Sequence, residues 1–82
     1  MDVLYFAWMR ERIGRSSEQV DTTGMTTARD LVEYLKGQGR GYELAFEKMH
    51  AVRVAIDQEV ATLDSPIGHA REIAFFPPVT GG

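Results

Sequence analysis

The residues best placed to do chemistry in this 82-residue sequence stand at its end, where Gly81-Gly82 follow Phe75-Phe76-Pro77-Pro78-Val79-Thr80. Two glycines carry no Cβ, so they set the last carboxylate on a thread slim enough for a channel that other side chains would block. A carboxylate is a poor electrophile until its oxygen becomes a good leaving group, and another protein would have to arrange that. The expectation is a reactive end at Gly82, with Gly81 as its channel-fitting neighbour. A frayed tail can end the same way. With Gly near 7% of residues, a chance diglycine end arises in about 0.5% of chains, so the pair alone suggests a function without deciding it.

Nothing else in the chain reads as a reaction centre. His50 and His69 fall on different predicted loops, with no second His or carboxylate at metal-ligand spacing, and both read as surface residues. Ser16, Ser17 and Ser65 have no neighbouring His. The stretch Gly37-Gln38-Gly39-Arg40-Gly41 lacks the Lys-Ser/Thr of a phosphate loop and reads as a connector. Cysteine is absent, which removes disulfides, thiolate metal sites and a thiol nucleophile and mildly favours a reducing compartment. No bound cofactor or metal is expected. The acid at Asp2 and the shortness of the first apolar run argue against a signal peptide or a membrane span, and so for a cytoplasmic protein. A net charge of -3 gives no electrostatic footprint for nucleic acid.

The elements that must carry the tail follow from apolar periodicity. Val3 to Met9 is apolar on both faces and reads as a central strand, with Val3, Tyr5 and Ala7 on one side and Leu4, Phe6 and Trp8 on the other. The charged stretch Arg10 to Arg15, ending at Gly14, reads as the turn of a hairpin into a strand over Glu18 to Thr22. Thr27 is an N-cap with Asp30 at the third helical position, and Ala28, Leu31, Val32 and Leu35 share one face of a helix that Gly37 stops. Tyr42 to Met49 allows about two further helical turns. Strands follow at Ala51 to Ile56, Val60 to Leu63 and Glu72 to Phe76, with a turn at Asp57-Gln58-Glu59 and a break at Asp64-Ser65-Pro66. Pro77 and Pro78 remove two backbone donors, so residues 77–82 should leave the sheet as an extended tail. The whole is one α+β domain, residues 1–82. A chain of this length buries only about 60–65% of its unfolded surface.

The run FFPPVTGG, the opening VLYFAWMRERIG with its FA-x-x-RE-x-x-G spacing, the Thr27 helix and the central VAIDQ-x-x-x-x-LDSPI together resemble the small subunits of molybdopterin synthase, a family of ubiquitin-like sulfur carriers. The resemblance spans nearly the whole chain. Thiazole-forming carriers also end in diglycine but usually lack the double proline after the paired phenylalanines. The resemblance implies a β-grasp fold, a mixed sheet of about four or five strands clasping one main helix, with a short second helix. It also implies a mechanism in which a ubiquitin-activating-type adenylyltransferase uses ATP to adenylate Gly82. Sulfur from a donor protein then displaces AMP to leave a thiocarboxylate. Gly81, Thr80 and Val79 would enter the large synthase subunit, which would hold cyclic pyranopterin monophosphate and the catalytic side chains, in a heterotetramer as in relatives. Two departures stand out: Gly68-His69-Ala70-Arg71-Glu72 replaces a commonly acidic Asp-Gly-Asp-Glu turn, and Asp57 stands where Asn is common.

A single helix covers one face of a small sheet. Val3, Tyr5, Ile73 and Phe75 should therefore meet Ala28, Leu31, Val32 and Leu35, leaving Phe6, Val60 and Phe76 as an opposite patch with Trp8 at its rim. By the resemblance, that patch together with Pro77 and Pro78 would face the large subunit. The alternative, that these side chains merely complete a tight core, stays open at this point. Three rival functions also stay open. They are a carrier for thiamine synthesis or tRNA thiolation, a ubiquitin-like modifier attached to lysines, and a β-grasp interaction module with an inert tail.

Overall fold

A computed structural model describes residues 1–78; the expected tail residues Val79, Thr80, Gly81 and Gly82 lie outside them. Five strands form one mixed sheet in the order β2-β1-β5-β3-β4. They are β1 (Asp2–Tyr5), β2 (Ser17–Gln19), β3 (Arg53–Ile56), β4 (Glu59–Ala61) and β5 (Glu72–Phe76). The first and last strands lie side by side in parallel at the centre, with Val3 opposite Ile73 and Tyr5 opposite Phe75; every other pairing is antiparallel. Three α-helices, α1 (Ala7–Ile13), α2 (Ala28–Lys36) and α3 (Arg40–Ala45), and a 3-10 turn at Met49–Ala51 complete the β-grasp arrangement.

The main helix forms as its sequence dictates. Thr27 Oγ1 accepts the Asp30 N–H, while Asp30 Oδ2 accepts the N–H groups of Thr26 at 2.8 Å and Thr27 at 3.0 Å, a complete capping box. Two further N-terminal donors of α2 reach back to the following loop, Ala28 N–H to Ser65 O and Arg29 N–H to Leu63 O. Ala28, Leu31, Val32 and Leu35 are buried in the same cluster as Val3, Tyr5, Ile73 and Phe75, as their spacing required. Aromatic contacts tie the two layers: Phe75 lies stacked with Tyr5 at 6.4 Å and edge-on to Phe46 at 5.1 Å.

The strand expected to run to Met9 ends at Tyr5, and the expected turn from Arg10 to Arg15 is mostly helix α1. The run Val3 to Trp8 is apolar throughout, so neither a two-residue nor a 3.6-residue period can be read from it. Ala, Met, Arg and Glu then favour helix, Met9 and Ile13 turn one face to the core, and Gly14, at φ 91°, closes the helix by donating its N–H to Arg10 O. The reversal from strand to helix takes a single residue, Ala7, at φ 55°. Trp8 consequently sits on α1, half-buried against the core with the Arg12 guanidinium 4.6 Å from its ring, not at the rim of the opposite patch.

Elsewhere the boundaries move by a few residues. Asp57 and Gln58 alone make the β3–β4 turn, both in the left-handed region at φ 49° and 70°, and Glu59 already belongs to β4. Helix α3 starts at Arg40, two residues before Tyr42, and ends at Ala45; Gly41 within it lets the backbone of α3 approach that of α1. A Cβ at residue 41 would overlap the Arg12 carbonyl.

Candidate functional site

The side of the sheet away from α2 holds the site. Strand alternation turns Leu4, Ala74 and Ala55 to this side on neighbouring strands, in register, with Val60 next to Ala55 on β4. Two adjacent alanines make a low floor, and larger side chains stand around it. The result is an open apolar hollow of about 600 Å³, walled by Leu4, Phe6, Phe76 and Pro77 and closed at one end by Gln58 and Glu72. Phe6 is 45% exposed, unusual for a phenylalanine.

Its position is set by the turn at Ala7. The Phe6 N–H continues the central ladder by donating to Phe75 O at 3.2 Å, and its carbonyl accepts the Met9 N–H at the start of α1. On the inner face of the same strand, the Tyr5 hydroxyl donates to Glu18 Oε2 at 2.7 Å, and Tyr42 donates to the same oxygen at 2.6 Å. Burial, and then these bonds to a carboxylate, raise the pKa of both phenols: Tyr42 is pushed up to about 12, and Tyr5 lies well above the ordinary tyrosine range. Both therefore remain protonated donors that fix β1 beside the hollow.

Of the residues singled out from sequence, Phe6, Phe76 and Pro77 come together on this hollow. Val60 is on the same side of the sheet but outside the lining, 82% exposed on an edge strand. Pro78 follows Pro77 at the end of the described chain without lining the hollow, and Gly82, expected to react, lies outside the described residues with Val79, Thr80 and Gly81. His50 and His69 are exposed, as expected. Leu4, Ala55 and Ala74 were missed as site residues. Strand parity already marks Leu4 and Ala74, whereas the place of Ala55 depends on its pairing with Ala74 across 19 residues of sequence, which no local pattern reports.

A second, polar hollow of about 350 Å³ adjoins the first and shares Gln58 and Glu72 with it; Asp2, Asp57 and Arg71 complete its lining. Asp57 Oδ1 accepts the N–H groups of Arg71 at 2.9 Å and Glu72 at 3.1 Å, which holds the loop before β5 against the β3–β4 turn. Among the described residues no three or more His, Cys, Asp or Glu side chains converge as a metal-holding set, and no helix is long and apolar enough to cross a membrane.

A mixed five-stranded sheet wrapped on one capped helix, with its last strand at the centre, defines a ubiquitin-like β-grasp protein. Solved structures agree: SAMP1 from Haloferax volcanii superposes with a TM-score of 0.74 at 28% identity, covering 100% of this chain and 98% of that one. A putative molybdopterin converting factor subunit 1 from Pyrococcus furiosus shares the fold with a TM-score of 0.73 at 23% identity, covering 95% of each chain. Residues 3–82 match the model of the ThiS family, and the chain belongs to that family. It is 43% identical to the molybdopterin synthase sulfur carrier subunit of Haemophilus influenzae, over 100% of this chain and 99% of that protein. It is 35% identical to the protein of the same name from Escherichia coli, over 98% of this chain and 96% of that one.

Proposed function

We propose that this chain is the sulfur carrier subunit of a molybdopterin synthase. The observation that carries the reading is the end-to-end match to relatives of that name, at 43% and 35% identity. The structure adds a physical rationale: the central strand β5 delivers Pro77 to the wall of an exposed apolar hollow, so a protein seated on the hollow lies beside the root of the tail.

In this reading the Gly82 carboxylate attacks the α-phosphorus of ATP on a separate adenylyltransferase, forming an acyl adenylate and releasing pyrophosphate. Hydrosulfide-level sulfur from a donor protein then adds to the acyl carbon and AMP leaves, so that a thiocarboxylate remains. The described residues contribute no acid, base or metal to these steps. Their part is to hold the tail root on a rigid sheet and to offer the hollow, with Phe6, Phe76, Pro77 and Pro78, to the large subunit. Val60 widens that contact at its edge. Two loaded carriers supply the two sulfurs of the dithiolene made from cyclic pyranopterin monophosphate in the cytoplasm.

Incubation with an adenylyltransferase of this class, ATP and a sulfur donor should replace one oxygen by sulfur in the intact mass, at Gly82. Deleting Gly82 should abolish sulfur transfer and leave the fold unchanged; undiminished product from the truncated chain would refute the assignment. A second reading, a protein modifier, is favoured by the likeness to structures of H. volcanii small archaeal modifier protein 1. It predicts diglycine remnants on lysines of many unrelated proteins, whereas the carrier reading predicts remnants that are rare or confined to the synthase.

A further inference from the structure

The two hollows on the outer face share a wall. The apolar one ends at Gln58 and Glu72, and the polar one begins there, so together they form one groove that runs along β5 and changes character midway. At its far end three carboxylates, Asp2, Asp57 and Glu72, face one guanidinium, Arg71. Asp2 is bonded to Gln19 and Asp57 to the backbone of the next loop, while Glu72 has no side-chain hydrogen bond or ion pair among the described residues. The groove is thus apolar beside the tail root and carries uncompensated negative charge at the other end. Glu72 and Phe76 both face it from β5, four residues and about 13 Å apart.

We infer that this groove recognises a protein surface by two anchors: an aromatic or branched apolar side chain for the hollow, and, about 13 Å away, an arginine or lysine for the acidic end. The inference rests on the carrier reading and specifies its partner, the large synthase subunit. A side-chain cation suits the acidic end better than a metal ion, because among the described residues these carboxylates form no metal-holding set and two of them are already engaged, Asp2 with Gln19 and Asp57 with the Arg71 and Glu72 N–H groups. A long guanidinium or ammonium stem can lie between them over the wall formed by Gln58 and Glu72. The two anchors also give direction. An apolar contact alone would let the carrier seat in either sense along β5, whereas a cation at the acidic end fixes the end from which the tail emerges, turning it toward the partner's channel.

The test is calorimetric titration of the full chain with the molybdopterin synthase large subunit encoded in the same genome, at low and high salt. Glu72→Lys and Asp2→Lys should each weaken binding about tenfold at about 0.05 M salt, and by less than about twofold at about 1 M salt, where the screening length is near 3 Å. Glu33→Lys, an exposed charge on α2, controls for net charge and should bind as the unmodified chain does. Phe76→Ala should weaken binding at both salt concentrations. If Phe76→Ala weakens binding while both groove reversals match the Glu33→Lys control, the cationic anchor is wrong and the docking face stands. If Phe76→Ala also leaves affinity unchanged, the docking face itself is wrong. Melting temperatures of every variant confirm that each is folded when titrated.

Discussion

Replacing Glu18 by alanine should cost more stability than its place on a short edge strand suggests. One carboxylate oxygen accepts both the Tyr5 and Tyr42 hydroxyls, and Tyr5 is only 1% exposed, so without Glu18 its O–H loses its charged acceptor in a place water scarcely reaches. A hydrogen bond to a charged acceptor contributes about 1.5–3 kcal/mol, and an orphaned buried donor costs about 1–3 kcal/mol. Tyr42 is only half-buried and can turn to water, so its share is small. The expected loss is about 2–3 kcal/mol, or a fall in melting temperature of about 10–20 °C for a domain of this size. Near-ultraviolet circular dichroism with calorimetry would measure it. A cycle with Tyr5→Phe, which keeps the ring stacked on Phe75, should show a coupling of about 1–2 kcal/mol. The same cluster predicts an alkaline limb. An unfolded tyrosine loses its proton near pH 10, whereas folded Tyr42 holds its proton to about 12, so between those values the unfolded state binds fewer protons and stability falls as pH rises. A melting temperature within 2 °C of the unmodified protein for Glu18→Ala, with no coupling to Tyr5, would refute this account.

Gly41→Ala should destabilise the domain by about 1–3 kcal/mol in a denaturant titration, because the added methyl meets the Arg12 carbonyl, which as main chain cannot turn aside. The Asp30 carboxyl is held below its ordinary value of 3.8, first by the Thr26 N–H and then by the Thr27 N–H. Its contribution is therefore whole above that value and is lost as the pH falls through the lower, folded-state value; Asp30→Asn should flatten the acid limb of a stability profile. Phe6→Ala should weaken large-subunit binding by about 1–4 kcal/mol, with a smaller loss of monomer stability. A collapse of the isolated variant with unchanged affinity would instead make Phe6 a core residue.

The parts of this fold that could be read from sequence are those whose signals are local. Thr27 and Asp30 announce the start of α2 because a capping box needs only four residues. Pro77 ends β5 because it has no N–H to give the ladder. Helix α1 was hidden by its own neighbours, since an unbroken apolar run from Val3 to Trp8 erases the period that would separate strand from helix. The site divides in the same way. Phe6 and Phe76 follow from alternation along single strands, and so does Val60's choice of face. The distance of Val60 from the hollow, and the floor laid by Ala55 and Ala74, depend on a strand order and register set by contacts far apart in sequence. The acidic end is long-range too, for Asp2, Asp57 and Glu72 come from three separate segments.

The parallel pairing of β1 with β5 also has a mechanical side. Force applied to the chain beyond Pro78 runs along β5, which is hydrogen-bonded on one edge to β1 and on the other to β3. Because the load lies parallel to the strands, the bonds of both ladders share it and must yield together, unlike an edge hairpin that peels one pair at a time. On the proposed carrier reading, a pull on the tail is therefore expected to load the domain as one block rather than to unzip it.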